Sequence, residues 1–243
     1  MYLSTDSIYF DSISNTLLLN SSTDYFGFTN GSLKKISTQA PPIKSVARVG
    51  SQLYYAASFG LYVNNGAFDD AGAQKLLSLW SRDLLYRPKG DKLWIASDSG
   101  VLVLNVTNKT IEKTILPDRQ IVAFAEGNAG VYALLFSGEI VLIDEGFKAT
   151  TIAGLPNGAN GADLEKVDGE LWVATNQGVM IYNLGTKQWL KIDKVLGLAS
   201  NNVNVLKQYK NEMWLATGNG LQTIPLDYGY DKRQARAYLS MLT

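Results

Sequence analysis

Residues 167–182 read "VDGELWVATNQGVMIY" and residues 209–224 read "YKNEMWLATGNGLQTI". Both carry an aromatic residue after an aliphatic one, an alanine two places on, and a glycine that closes the phrase. Aligned on the first aliphatic residue, five copies run through the chain, at Leu53, Leu93, Val131, Leu171 and Met213, with starts 40, 38, 40 and 42 residues apart. The next column is Tyr54, Trp94, Tyr132, Trp172 and Trp214. Three places beyond the start stand Ala56, Ala96, Leu134, Ala174 and Ala216, and seven places beyond it Gly60, Gly100, Gly138, Gly178 and Gly220. A worn sixth copy starts near Leu17 in "TLLLNSSTDYFGF", with Asp24 in the glycine column. Self-similarity at this period marks a tandem array of small units.

Each column has a physical reading. "ELWVAT" is a short run of aliphatic, aromatic and β-branched residues between polar ones, the pattern of a strand buried on both faces. The glycine then permits positive φ in a tight turn into the next strand, "GVMIYNL" or "GLQTIPL". A mid-strand alanine lets a neighbouring sheet approach, and the aromatic fills the wider part of the gap. Upstream of each phrase lies another apolar strand, such as "DLLYR" or "IVAFA", and downstream a more polar one, such as "TIEKTIL" or "KQWLKID". Four strands in about forty residues make one small antiparallel sheet, and radial repetition of such sheets is an all-β propeller. Six copies predict six blades over residues 1–228, with a seven-bladed ring as the alternative. "DDAGAQKLLSLW" (69–80) has some helical spacing and reads as a loop plus an outer strand. Residues 229–243 follow the last blade, and "MYLS" (1–4) or "ARAYLSML" (235–242) is a candidate closing strand to complete the ring and remove an exposed edge.

Composition narrows the function classes. Among the 243 residues, Lys plus Arg and Asp plus Glu stand at 22 each, so no net field draws in nucleic acid or an anionic membrane. The chain has no cysteine, which excludes disulfides, thiolate catalysis and cysteine zinc sites. It has no histidine either, which excludes Ser-His-Asp and Cys-His arrangements and imidazole metal sites. The longest apolar runs, such as "VLVLNV" (101–106), are too short for a membrane-spanning helix. Met1 is followed by neither a basic n-region nor a long h-region, which fits a chain that is not exported or one already trimmed.

Residues 194–224, "KVLGLASNNVNVLKQYKNEMWLATGNGLQTI", resemble the two-component regulator propeller repeat. Gly197, Leu198, Asn201 or Asn202, Val203, Trp214, Thr217 and Gly220 fall on that family's pattern, and residues 154–182 follow it again with a longer loop. Alanine stands here where the family carries glycine before threonine. The resemblance covers five or six blades, and its motif is specific for fold rather than ligand. It implies an extracellular or periplasmic sensing region of a bacterial membrane-bound regulator, commonly a hybrid histidine kinase. It further implies an adjacent domain of the same parent, a β-sandwich whose first strand residues 229–243 would begin as the alternative to a closing strand, together with a homodimer of that parent and kinase activity only outside this chain.

Propeller sites gather at a mouth of the central channel. Turns leading into inner strands supply Arg82, Arg119, Asn201 and Asn202. Hairpin turns beside the glycine column supply Phe59, Asp98, Asn176 and Asn219. Two arginines there favour an acidic group on a small polar or saccharide ligand, or on a partner loop; the alternative for every one of these residues is ordinary turn chemistry. Sugar stacking on Trp94, Trp172 and Trp214 competes with core packing, which their repeating register favours. Asp69 and Asp70 with Asp163 raise calcium, but lack the spaced oxygen ligands of a loop site, so no metal or other cofactor is expected. Asp98, Asp118 and Asp163 are carboxylates for a histidine-free hydrolase, but no spacing singles out a pair. The expected function is therefore non-enzymatic, a sensor propeller, with a structural interaction module of a cell-surface or secretion assembly as the alternative.

Overall fold

The computed structural model describes residues 7–11, 13, 16–21, 24–29, 32–37, 43–66 and 73–226. The first sheet is β1 (Ser7–Asp11), β2 (Thr16–Ser21), β3 (Asp24–Thr29) and β4 (Ser32–Ser37). The second is β5 (Ile43–Val49), β6 (Gln52–Ala57), β7 (Gly60–Asn64) and β8 (Gln74–Leu77). The third is β9 (Ser81–Arg87), β10 (Lys92–Ser97), β11 (Gly100–Asn105) and β12 (Thr110–Ile115). The fourth is β13 (Ile121–Gly127), β14 (Gly130–Leu135), β15 (Glu139–Ile143) and β16 (Ala149–Gly154). The fifth is β17 (Gly161–Val167), β18 (Glu170–Thr175), β19 (Gly178–Asn183) and β20 (Trp189–Ile192), and the sixth β21 (Val203–Tyr209), β22 (Glu212–Thr217) and β23 (Gly220–Pro225). Strands pair antiparallel in chain order within every sheet. The first strands of successive sheets pack against one another all the way round, including β21 against β1. The molecule is thus a six-bladed propeller, and the worn copy at Leu17 is a true blade.

The core is a ring of blade-to-blade contacts rather than one central mass. Trp94 and Ala96 of blade 3 pack with Phe124 and Val131 of blade 4. Trp172 and Ala174 of blade 5 pack with Leu206 and Met213 of blade 6. The aromatic and alanine columns lie two residues apart on one strand, so they share the face that meets the following blade. Trp94 is 2% exposed and Trp172 fully buried, so both belong to the core and offer no face to a sugar. Trp214 continues the rule around the ring, its indole 5.8 Å from the Phe28 ring of blade 1.

The hairpin column needs two corrections. At Gly178, φ is +115° and a Cβ would come within 2.2 Å of Ile192 O on β20, so both conformation and space require glycine. Gly60 has no positive φ; space alone holds it, since a Cβ would lie 2.7 Å from Leu77 O. Gly138 is not equivalent to the others. Blade 4 joins Leu135 to Glu139 through three residues instead of two, and Gly138, at φ +87°, closes that longer turn with its N–H on Leu135 O.

A hydroxyl fastens the two-residue turns from inside. Thr175 Oγ1 donates to Gly178 O at 2.7 Å, and Ser97 and Thr217 make the same bond to Gly100 and Gly220. Blade 2 has Ala57 at this position and borrows its hydroxyl from blade 3. Ser81 Oγ accepts from Ala57 N at 3.0 Å and reaches Gly60 O at 2.9 Å. The stretch 69–80 yields the expected outer strand as β8, and no helix among the described residues is long and apolar enough to cross a membrane. The candidate closing segments 1–4 and 235–242, the residues from 229 on, and Asp69 and Asp70 lie outside the described residues.

Candidate ligand-recognition mouth

The inner strand of each blade is an edge of its sheet, with a neighbour on one side and the channel on the other. In blades 2 to 6 it is also bulged near its start. In β5, Ile43 pairs with Ala57 and Ser45 with Ala56, so Lys44 is left out of the ladder. The same skip leaves out Arg82 in β9, Val122 in β13, Ala162 in β17 and Asn204 in β21. A bulge bends its strand and re-aims the extra side chain. Here all five bulged residues line one cavity of about 380 Å³ at one mouth of the channel. The hairpin turns of blades 2 and 4 add Ser58 and Phe136 to its wall, and Trp80, just before β9, adds a second aromatic ring.

In blades 2, 3 and 5 the next residue along the strand has a different duty. Alternate amides of these edge strands face the channel without a strand to receive them, and buried N–H groups must find acceptors. Asp83 accepts from Leu84 N at 2.8 Å and, across the blade boundary, from Phe124 N at 2.7 Å. Asp163 repeats the arrangement, accepting from Leu164 N and from Leu206 N of the next blade, both at 2.8 Å. Ser45 Oγ accepts from Leu84 N at 3.2 Å and so links blade 2 to blade 3. These residues line a second cavity of about 470 Å³, the channel itself. Burial raises the pKa of Asp83, and burial followed by the charge of Asp83 raises that of Asp163 well above the ordinary carboxylate value. Lys207, paired with Glu165, is raised, first by that carboxylate. Asp83 and Asp163 are thus committed to backbone amides, and Glu165 to Lys207.

At the far end of the channel, ion pairs join neighbouring blades. Arg48 meets Asp11 at 2.7 Å with both side chains largely buried, and Arg87 reaches Glu126 at 3.1 Å and Glu145 at 2.6 Å. The charges at this end serve cohesion between blades.

Of the residues singled out from sequence, Arg82 lines the mouth cavity. Asp98 holds it, with Oδ1 3.0 Å from Arg82 Nη2. Phe59, 70% exposed, packs edge-on against Trp80 at 5.8 Å, just outside the cavity. Arg119 is turned to Glu139 of its own blade and does not line it. Asn201 accepts from Lys194 N, Asn176 from Asn160 N, and Asn219 donates to Ala199 O, so these three brace turns. Asn202 donates to Asn204, one of the bulged residues, at 3.2 Å. Asp118 sits in a turn at φ +61°, and Asp163 is in the channel. The sequence does not single out Lys44 and Asn204, because the bulge that turns them to the mouth has no residue-type signature, nor Trp80 and Phe136, which stand beside the bulges in a connection and a hairpin turn. Among the described residues no group of three or more His, Cys, Asp or Glu is placed to hold a metal.

No protein-family model matches the chain, and no curated protein matches it in sequence. Solved structures match it in shape. The extracellular domain of BT4673 from B. thetaiotaomicron, described as a hybrid two component system, superposes with a TM-score of 0.69 at 15% identity, over 91% of this chain and 38% of that one. The extracellular domain of BT3049 from the same organism, described in the same way, gives 0.66 at 16% identity, over 93% and 34%. PorZ, an essential surface component of the type-IX secretion system of Porphyromonas gingivalis, gives 0.56 at 13% identity, over 93% and 33%. This chain therefore spans well under half the length of each, and at these identities the likeness is one of fold.

Proposed function

We propose that this propeller is a non-enzymatic recognition module, the sensing domain of a bacterial membrane-bound two-component regulator displayed on the periplasmic or extracellular side. The observation that carries the reading is the convergence of five bulged residues from five blades on a single mouth cavity. A repeat that re-aims one side chain per blade to one point builds a site from distant parts of the sequence, as recognition requires. The propeller likeness to extracellular domains of two-component systems supports the signalling context. Catalysis is disfavoured because Asp83 and Asp163 each already accept two backbone amides. A second reading, a structural component of a surface or secretion assembly, is favoured by the likeness to PorZ.

The deciding experiment places Lys44→Glu and Arg82→Glu in the full-length parent and follows a transcriptional reporter of its pathway. The sensing reading expects loss of induction with an unchanged melting temperature of the isolated propeller. Normal induction by both variants removes it. A parent lacking any signalling domain would favour the assembly reading.

A further inference from the structure

The mouth is wider than its cavity, and that width points to the kind of occupant. Phe136 is 65% exposed, Trp80 50% and Phe59 70%, and they come from blades 4, 3 and 2. Phe59 lies outside the cavity wall yet stacks on Trp80, so an aromatic shelf continues from the cavity onto the surface. A small ligand is usually enclosed over most of its surface. One seated here would leave the shelf bare. Exposed, clustered aromatic rings around a shallow pocket are the make-up of a protein-binding hot spot.

Charge narrows the partner further. The two charged side chains in the cavity wall are cations, Lys44 and Arg82, and no carboxylate lines it. Arg82 is engaged by Asp98. Lys44 is exposed and makes no ion pair among the described residues. An opposite charge brought to Lys44 therefore meets a cation that has not been neutralised.

We propose that this mouth docks an acidic loop of a protein partner, an apolar side chain entering the cavity between Trp80 and Phe136 and a neighbouring carboxylate meeting Lys44. The proposal rests on the reading of the mouth as the recognition surface and names the occupant's chemistry. Asn204, held by Asn202, offers the loop backbone a polar contact on the opposite wall.

The test uses the 243-residue chain as target for a phage-displayed library of disulfide-closed peptide loops, counter-selected on the Lys44→Glu, Phe136→Ser double variant. Enriched loops are expected to carry Asp or Glu beside Leu, Phe or Trp. A synthetic loop of that sequence should lose at least about tenfold in affinity on Lys44→Glu, equivalent to about 1.4 kcal/mol, and again on Trp80→Ser. The Trp80→Ser and Lys44→Glu chains must melt with the parent, since both side chains are surface-exposed. Enriched loops without an acidic bias, or equal affinity for the variants, overturn the proposal. So does failure of any loop to enrich while a polysaccharide array binds with the same dependence on Lys44, which would leave the mouth a recognition site but change its occupant. Loss of signalling in the parent on Lys44→Glu without any loop binding separates the two readings, since it keeps the sensing function and sinks the acidic loop.

Discussion

Arg82 and Asp83 are adjacent residues of one strand with opposite duties, and the same contrast recurs at Ala162 and Asp163. The first member of each pair is the bulged residue, left out of the ladder and turned to the mouth. The second faces the channel and receives amides from its own blade and the next. A bulge thus does two things at once. In blades 2, 3 and 5 it turns one side chain to the mouth and, one residue later, sets a hydroxyl or a carboxylate on an amide of the next blade, whereas in blades 4 and 6 the following residue is the apolar Ala123 or Val205. Lys44 and Ser45 show the arrangement in its mildest form, with a hydroxyl in place of the carboxylate. Variation in the first column should change what the propeller binds, and variation in the second should change whether it holds together.

The largest expected effect lies outside both columns and sets their scale. Trp172→Ala removes a fully buried indole from the contact of blades 5 and 6, and should cost about 3–5 kcal/mol in urea unfolding. Wild-type stability would mean that the blade contacts do not rest on the aromatic column.

Much of this was legible in the sequence. The column of Trp and Tyr beside a small residue specified packing against the next blade, and the repeat pointed to six blades but left seven open until the packing of β21 on β1 closed the ring. Legibility failed where a single inserted residue changes geometry without changing composition. Nothing in "SRDLLYR" marks Arg82 as unpaired, since pairing depends on where Ser97 and Ala96 fall on the partner strand. Arg82 was found as a polar residue in a turn entering an inner strand; Lys44 and Asn204 stand in the same position but look like ordinary strand residues. Phe136 was hidden by the shift of one residue that puts Gly138 inside the blade 4 turn. Asn176, Asn201 and Asn219 brace turns, and in a sequence turn-bracing and ligand-binding asparagines are written alike.

A smaller effect is expected at Ser81. Its hydroxyl replaces in blade 2 what threonine supplies in blades 5 and 6, and Ser81→Ala leaves the buried Ala57 N–H without that acceptor. The expected loss is about 1–3 kcal/mol. Restoring a local hydroxyl through Ala57→Ser in the same chain should recover part of it, and no recovery would show that the inter-blade bond has another purpose.

Acidity sharpens the contrast further. Burial, and then the charge of Asp83, lifts the folded-state pKa of Asp163 above its unfolded value. The folded chain therefore holds this proton more tightly than the unfolded one. Its contribution to stability is greatest below the ordinary carboxylate value and is lost as pH rises from there to the raised folded value, beyond which it is flat. Wild-type stability relative to Asp163→Asn should fall across that window in urea titrations run at a series of pH values. A difference that stays constant, or grows with pH, would show that Asp163 is not held in the environment described.

The most direct test of the division between the two columns is a pair of thermal melts, Arg82→Ala and Asp83→Ala. Arg82 gives up a half-exposed ion pair with Asp98, a contact of about 0–1 kcal/mol, so its melting temperature should stay within about 3 °C of the parent. Asp83→Ala strands the amide of Phe124 at the channel wall and leaves that of Leu84 only the longer bond to Ser45 Oγ, at about 1–3 kcal/mol, and should lower the melting temperature by roughly 4 °C or more. Equal shifts, or a larger fall for Arg82→Ala, would contradict the assignment of recognition to the bulged residue and cohesion to its neighbour.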